Sequence, residues 1–183
     1  MRITGGEYRG RTIHSGKSKD IRPATDRVRE TIFSILPHYI DLREIKVLDL
    51  YAGTGSLGFE CLSRGTKFVT FVDASREGIK VMQRTAAELN CSDRCDIILS
   101  TVERFLKNPD RRGELIFADP PYAMEGLETL PGTIARSGIA STDAVLLIEH
   151  AKKTRFPEDP AYSIFRQRAF GNTIVSFFRL SPS

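Results

Sequence analysis

Short apolar runs alternate along the chain with segments in which apolar residues recur every three or four positions. The runs predict β-strands, and the helically spaced segments predict α-helices. The predicted parallel strands are Lys46–Leu50, Phe68–Asp73, Asp96–Ser100, Glu114–Ala118 and Ala144–Glu149. The predicted helices are a first one capped by Thr25 or Asp26 and ended by Pro37, then Leu57–Ser63, Arg76–Leu89, Val102–Leu106 and Gly126–Ser137. This alternation predicts an α/β fold with a doubly wound, mostly parallel sheet and helices on both of its faces.

The two ends of the chain follow a different pattern. Residues 1–24 are rich in Gly, Arg and Lys, and they predict a short basic hairpin followed by an extended arm. Tyr162–Arg168 and Thr173–Leu180 flank a turn and predict a closing antiparallel hairpin. No repeat or linker interrupts the chain, so residues 1–183 are expected to form a single domain.

Composition narrows the class of protein. Hydrophobic residues make up 40% and charged residues 27% of the chain, as in ordinary globular proteins. No apolar run approaches the roughly 20 residues of a membrane span, and the basic start does not resemble a signal peptide. We therefore expect a cytoplasmic protein with no membrane partner, and we expect a monomer.

The positive charge lies at the two ends of the chain. Residues 1–30 hold eight Lys and Arg against four Asp and Glu, and residues 150–183 hold six against two. Because the whole chain carries a net charge of +4, the middle is acidic. Basic ends suit a nucleic-acid partner, although solvated surface charge gives the same pattern. The candidate phosphate contacts are Arg9, Arg11, Lys17, Lys19, Arg27 and Arg29.

Cysteine spacing does not predict a metal site. Cys91 and Cys95 are close in sequence, but a structural zinc needs four ligands and the three histidines lie far from this pair. We expect reduced thiols and no bound metal.

A glycine-rich turn follows the first predicted strand. Gly53, Gly55 and Gly58 satisfy the G-x-G-x-x-G pattern, and Asp73 lies twenty residues after Gly53 at the end of the second strand. Glycines allow close approach of a ligand, and a carboxylate placed like Asp73 accepts hydrogen bonds from ribose hydroxyls. The pattern is shared by sites for NAD, flavin nucleotides and S-adenosylmethionine, and a purely structural turn also remains open.

Asp49 favours S-adenosylmethionine among these cofactors. This carboxylate stands at the start of the glycine-rich turn. It would repel a pyrophosphate, whereas it would attract the ammonium and sulfonium groups of S-adenosylmethionine.

A second polar turn, Asp119-Pro120-Pro121-Tyr122, follows the fourth strand. Two prolines stiffen the turn. Asp119 and the Pro120 carbonyl can each accept one hydrogen of an amino group on a base, and Tyr122 can stack on the base face. These four residues are therefore the predicted catalytic residues, although proline-rich turns after strands are also common structural features.

With both turns in place, the sequence resembles the class I, Rossmann-like amino-methyltransferases. More narrowly, it resembles the bacterial 16S rRNA (guanine-N2) methyltransferase family. The blocks that carry the narrower resemblance are Arg2-Ile3, Gly5-Gly6, Tyr8-Arg9-Gly10-Arg11, Arg22-Pro23, Thr25-Asp26-Arg27-Val28-Arg29-Glu30-Thr31, Phe33, Asp49-Leu50, Ala52-Gly53, Gly55, Leu57-Gly58, Glu60, Leu62-Ser63-Arg64-Gly65, Asp119-Pro120-Pro121-Tyr122 and Gly171-Asn172-Thr173.

The resemblance implies a seven-stranded sheet and methyl transfer to N2 of a guanine in 16S rRNA. The substrate is then either the free rRNA or an assembling small ribosomal subunit. The resemblance also implies that the segment from Arg22 to Asp26 helps to close the methionine end of the cofactor site. The full set of predicted cofactor-binding residues is Arg22, Thr25, Asp49, Ala52, Gly53, Gly55, Asp73, Ala74, Thr101, Val102 and Asp119.

One position departs from the family pattern. Thr101-Val102 stands after the third strand, where the family usually has Asn or Asp before Ala. Adenine recognition is then expected from backbone groups or from the hydroxyl of Thr101 or Ser100.

Three alternatives remain. A DNA adenine-N6 or cytosine-N4 methyltransferase shares the chemistry but usually needs a target-recognition region, for which 183 residues leave little room. An NAD-dependent oxidoreductase is disfavoured by Asp49 and Asp119. A non-catalytic RNA-binding assembly factor is disfavoured by the intact glycine loop.

Overall fold

Seven strands form one sheet in the computed structural model of the protein, which describes residues 1–15, 26–121 and 124–181. The strands are β1 (Lys46–Leu50), β2 (Phe68–Asp73), β3 (Cys95–Leu99), β4 (Gly113–Ala118), β5 (Ala140–Ala151), β6 (Tyr162–Phe170) and β7 (Thr173–Leu180). Their order in the sheet is β3-β2-β1-β4-β5-β7-β6. β1 pairs with β2, β2 with β3 and β4 with β5 in parallel, whereas β7 pairs antiparallel with β5 and β6. The Rossmann-like class I fold with a C-terminal antiparallel hairpin is confirmed.

Five α-helices accompany the strands in the described ranges: α1 (Asp26–Ile35), α2 (Ser56–Ser63), α3 (Arg76–Leu89), α4 (Val102–Phe105) and α5 (Leu130–Arg136). Local signals set the ends of α3. The Ser75 hydroxyl accepts a hydrogen bond from the Gly78 N–H, and Asn90 ends the helix in a left-handed conformation. Ile79 and Met82 lie on its buried face, as their spacing predicts.

Two predicted elements differ from the structure by more than two residues at one end. The predicted helix Gly126–Ser137 is a 3-10 turn over Leu127–Thr129 followed by α5. Pro131 explains the later start of the α-helix, because proline lacks a backbone N–H and fits only the first turn. β5 begins four residues earlier than predicted, and its pairing with β4 is irregular between Gly113 and Leu115.

The chain divides into two compact units, Met1–Val102 and Glu103–Ser183. The first unit holds β1, β2, β3 and the first three helices around a core that includes Leu50, Phe59 and Phe71. The second unit holds the other four strands around Phe117 and Phe177. The single-domain organisation stays a prediction.

The N-terminal segment forms a hairpin within the first unit. Arg2 and Thr12 form an antiparallel bridge, and the Ile3 N–H donates to the Arg11 carbonyl at 3.0 Å. The fully buried Glu60 carboxylate on α2 holds this hairpin: it accepts hydrogen bonds from the Thr4 N–H at 2.9 Å, the Thr4 hydroxyl at 2.7 Å and the Gly5 N–H at 2.9 Å. The predicted hairpin is therefore present in residues 1–15.

Within the described part of the chain, no helix is long and apolar enough to cross a membrane. The three cysteines are buried and free. The same residues contain no group of three His, Cys, Asp or Glu side chains that could hold a metal ion.

Candidate functional site

The glycine-rich turn after β1 has a tightly wound backbone. Tyr51, Gly53 and Gly55 have φ angles of 57°, 58° and 75°. The left-handed region costs a residue such as Tyr51 on the order of 1–3 kcal/mol, and such strain is concentrated at functional sites. The Ala52 N–H donates to the Val72 carbonyl at 3.1 Å, which ties the turn to β2.

Two carboxylates organise this turn. One oxygen of Asp73 accepts the Gly53 N–H at 2.7 Å, and the other accepts the Ser75 N–H at 2.7 Å. Asp49 is 3% exposed, and one of its oxygens accepts the Gly58 N–H at 3.0 Å, in the first turn of α2. A carboxylate has about four lone-pair sites, so these backbone bonds leave Asp73 with the capacity to accept ribose hydroxyls.

Two further features of the turn suit a bound ligand. The Thr54 hydroxyl is buried and has no hydrogen-bond partner among the described residues. A buried hydroxyl without a partner costs about 1–3 kcal/mol, which a ligand group can recover. Gly78 on α3 lies so close to the turn that a Cβ there would stand 2.8 Å from the Gly53 carbonyl oxygen. These residues form a cradle that fits a nucleoside-type cofactor.

The positions assigned to adenine lie near the ends of β2 and β3. Ala74 and Thr101 are exposed, whereas Val102 is buried. The Ser100 N–H donates to the Asp73 carbonyl at 3.0 Å, and the Ser100 hydroxyl donates to the Thr101 carbonyl at 2.9 Å. The Ser100 hydroxyl hydrogen is therefore already used, so Thr101 and the backbone are the stronger candidates for adenine.

The second turn begins directly after β4, in the second unit. Asp119 is half-buried and Pro120 is buried. The Pro121 carbonyl accepts the Met124 N–H at 2.9 Å, which adds a restraint to the stiffness of the two prolines. Burial, and to a lesser extent the negative charge of Glu149, raises the pKa of the Asp119 carboxyl to about 7. A carboxyl with this pKa changes charge in the range where enzymes use general acids and bases.

A cavity of about 540 Å³ adjoins this turn. Pro120 lines it from the turn after β4, Glu149 and His150 line it from β5, and Lys153 and Arg155 line it from the following loop. His150 is a structural residue here: Nε2 lies 2.7 Å from the Ser176 hydroxyl, Nδ1 lies 3.0 Å from the Ala151 carbonyl, and burial lowers the pKa of its ring.

The predicted phosphate contacts have different environments. Arg9, Arg11 and Arg27 are exposed, and the Arg11 guanidinium donates to the Glu88 carbonyl at 2.5 Å. The prediction that Arg29 contacts a phosphate is wrong, because its side chain is fully buried. Its guanidinium donates to the Asp26 carboxylate at 2.6 Å and to the Arg2 carbonyl at 2.7 Å. A buried guanidinium does not reach a phosphate, so Arg29 is a structural residue.

Several predicted residues lie outside the described part of the chain: Lys17, Lys19, Arg22, Thr25 and Tyr122. Their assigned roles stay predictions. The structure brings Asp49, Gly53, Gly55 and Asp73 together in the first unit. In the second unit it places Pro120, the residue after Asp119, in the lining of the cavity.

Sequence reasoning missed Tyr51, Thr54 and Glu149. Tyr51 and Thr54 stand inside the glycine-rich turn, but only the backbone conformation and the burial reveal them. Glu149 had a signal in the sequence, because it is a carboxylate at the end of the apolar run Ala144–Ile148. In the sheet, Ala118 pairs with Ile148, so Glu149 lies beside the position of Asp119.

Comparisons with known proteins agree with this fold. The family model described as "Conserved hypothetical protein 95" matches residues 1–179. Two proteins named ribosomal RNA small subunit methyltransferase D are similar in sequence. The one from Haemophilus influenzae is 31% identical, covering 97% of this chain and 91% of its own length. The one from Escherichia coli K12 is 30% identical, and the match covers 98% of this chain and 89% of its own length. A solved structure of yhhF from Escherichia coli has a TM-score of 0.87 and 27% identity, covering 100% of this chain and 99% of its own.

The fold and these relatives together define a Rossmann-like class I methyltransferase. The chain belongs to the family described as "Conserved hypothetical protein 95", and the resemblance to the small-subunit rRNA methyltransferases is confirmed.

Proposed function

We propose that the protein transfers a methyl group from S-adenosylmethionine to the exocyclic N2 of a guanine in small-subunit rRNA. The observation that carries the proposal is a half-buried carboxyl, Asp119, with a stiff proline turn and a nucleotide-sized cavity beside it. The family relatives named small-subunit rRNA methyltransferases support the RNA target.

The first unit supplies residues suited to S-adenosylmethionine. We assign the ribose hydroxyls to Asp73, the close backbone contacts to Gly53 and Gly55, and a polar contact to the orphaned Thr54 hydroxyl. When bound, the cofactor supplies an electrophilic methyl group. In our proposal the negative charge of Asp49 favours its cationic end, and the segment from Arg22 to Asp26 helps to close the methionine end of the site.

Asp119 prepares the amino group for attack. The nitrogen lone pair of the guanine amino group is delocalised into the ring, so the nitrogen is a poor nucleophile. Hydrogen bonds from the two amino hydrogens to Asp119 and to the Pro120 carbonyl would turn the lone pair out of conjugation and orient it. As the new N–C bond forms, the nitrogen loses a proton, and a carboxylate with a pKa of about 7 can accept it. Tyr122 is assigned to stacking on the base.

Transfer of a radiolabelled methyl group tests the activity. We expect purified protein to incorporate label into small-subunit rRNA, as RNA or in assembled subunits, and not into duplex DNA. Label in DNA alone would support the DNA methyltransferase alternative, and label in neither nucleic acid would contradict the proposal.

Cofactor choice gives a separate prediction. The carboxylate of Asp49 already occupies the Gly58 N–H in the first turn of α2. That N–H is therefore not offered to a pyrophosphate, and the nearby negative charge opposes one. In isothermal calorimetry the protein should bind S-adenosylmethionine and its demethylated product but not NAD. Tight NAD binding without binding of the methyl donor would contradict the assignment.

The exposed arginines of the hairpin give a prediction about RNA affinity. Replacing Arg9 and Arg11 together with Gln should weaken RNA binding and reduce its log–log salt slope by about 0.7–0.9 per lost phosphate contact. Replacing Lys67 and Lys80, two exposed lysines of the same unit, with Gln removes the same charge and serves as the control. Equal slopes for the two double variants would show that net charge, and not the hairpin, determines the salt dependence.

A further inference from the structure

The cavity beside the Asp119–Pro121 turn has the volume of a small-molecule site, and its lining carries both basic and acidic side chains. Its volume of about 540 Å³ falls within the roughly 300–1,000 Å³ of small-molecule sites. Exposed Lys153 and Arg155 stand in its lining on the loop after β5, where they can meet a phosphate group. Glu149, by contrast, is half-buried near the end of β5, and its carboxylate can accept hydrogen bonds from N–H groups.

Glu149 lies next to the catalytic turn. β4 and β5 are parallel neighbours in which Ala118 pairs with Ile148, so Asp119 and Glu149 follow at equivalent positions. The two side chains are close enough to interact electrostatically. Glu125 and Glu128 also line the cavity, but both are exposed and neither stands on the sheet. Glu149 is therefore the carboxylate placed to meet a base whose amino group reaches Asp119.

Guanine differs from the other bases at the atom beside its amino group. N1 of guanine carries a hydrogen, whereas the equivalent ring nitrogens of adenine and cytosine carry a lone pair. A carboxylate accepts a hydrogen bond from the N1–H of guanine, whereas it repels the ring-nitrogen lone pair of adenine or cytosine. A site that contains such a buried polar group discriminates strongly against an analogue that lacks the matching hydrogen.

We propose that Glu149 selects guanine by accepting the hydrogen bond from its N1–H while Asp119 holds the amino group. This inference rests on the proposed function, and it assigns base specificity to a residue outside the Asp119–Tyr122 turn.

A guanine analogue tests the inference. In 2,6-diaminopurine the 2-amino group is kept, but N1 has a lone pair instead of a hydrogen. Small-subunit rRNA carrying either guanosine or this analogue at the methylated position can be prepared by splinted ligation. Single-turnover methyl transfer to both RNAs is then compared for the parent protein, Glu149→Gln and the control Glu128→Gln.

The parent protein and Glu128→Gln should prefer guanosine by about 10- to 100-fold, the value of one hydrogen bond to a charged group. Glu149→Gln should lose most of this preference, because the Gln amide can donate to the N1 lone pair. For each variant, the ratio of the rate on guanosine RNA to the rate on diaminopurine RNA does not depend on how much of the protein is folded. An unchanged preference in Glu149→Gln, or a loss of preference in Glu128→Gln, would overturn the inference. If the parent methylates neither RNA, the proposed function itself fails.

Discussion

Replacing Asp119 with Ala should lower kcat for methyl transfer by on the order of 10²-fold or more, with cofactor binding reduced much less. In the proposed mechanism the carboxylate accepts a hydrogen bond that strengthens as the nitrogen gains positive charge, so its loss should act mainly on the transition state. Single-turnover transfer at saturating cofactor and RNA measures the effect. Asp119→Asn keeps one acceptor oxygen and should retain more activity than Asp119→Ala. If Asp119→Ala has the parent rate, the catalytic centre lies elsewhere.

The pH dependence of kcat/KM provides a second readout for the same residue, because kcat/KM reports groups of the free enzyme. The raised pKa of Asp119 is about 7, and in the proposed mechanism its charged form is the hydrogen-bond acceptor and the base. Activity should therefore be high above pH 7 and fall as the pH decreases through 7 and the carboxyl becomes protonated. Asp119→Asn should lose this step. A step of the same size and position in Asp119→Asn would assign the titration to another group.

Replacing Glu60 with Ala should destabilise the protein by about 3 kcal/mol, because removing one partner of a buried, hydrogen-bonded charge pair typically has a cost of this size. Glu60 is fully buried, and besides Thr4 and Gly5 it binds the Arg64 guanidinium at 2.8 Å. For a chain of this length, the change corresponds to a decrease in Tm of roughly 6–12 °C. Thermal unfolding monitored by circular dichroism measures it.

Glu60→Gln is the matched variant, since it keeps the size of the side chain and removes only its charge. It should be less destabilised than Glu60→Ala. Because Glu60 holds the hairpin that carries Arg9 and Arg11, amide hydrogen exchange in residues 1–15 should increase in both variants. Unchanged exchange and unchanged Tm would show that other contacts suffice to hold the hairpin.

The sequence predicted the parts of the fold that local signals determine. The bounds of β1, β2, α3 and β7 agree with the structure, since apolar periodicity and capping residues mark their ends. The sequence also singled out Asp73 and Asp119 as candidates, because Asp73 ends the apolar strand β2 and Asp119 directly follows β4.

The roles that depend on distant contacts were not predictable in the same way. Its positive charge predicts Arg29 as a phosphate contact. Arg29 nevertheless lies three and four residues before the buried Ile32 and Phe33, so it shares their face of α1. Helical spacing could have revealed its burial. The bond from the Gly58 N–H to Asp49 and the bonds of Glu60 to the hairpin join residues on different elements, and no local pattern encodes them.

The central claim is that a guanine amino group in small-subunit rRNA receives the methyl group, and nucleoside mapping tests it most directly. Small-subunit rRNA, both as free RNA and within assembled subunits, is incubated with the protein and S-adenosylmethionine. The RNA is then digested and analysed by mass spectrometry. The proposal predicts N2-methylguanosine at a single position with the parent protein, and its near absence with Asp119→Ala. Methylation of adenosine or cytidine instead, or methylguanosine that forms equally well with Asp119→Ala, would contradict the proposal.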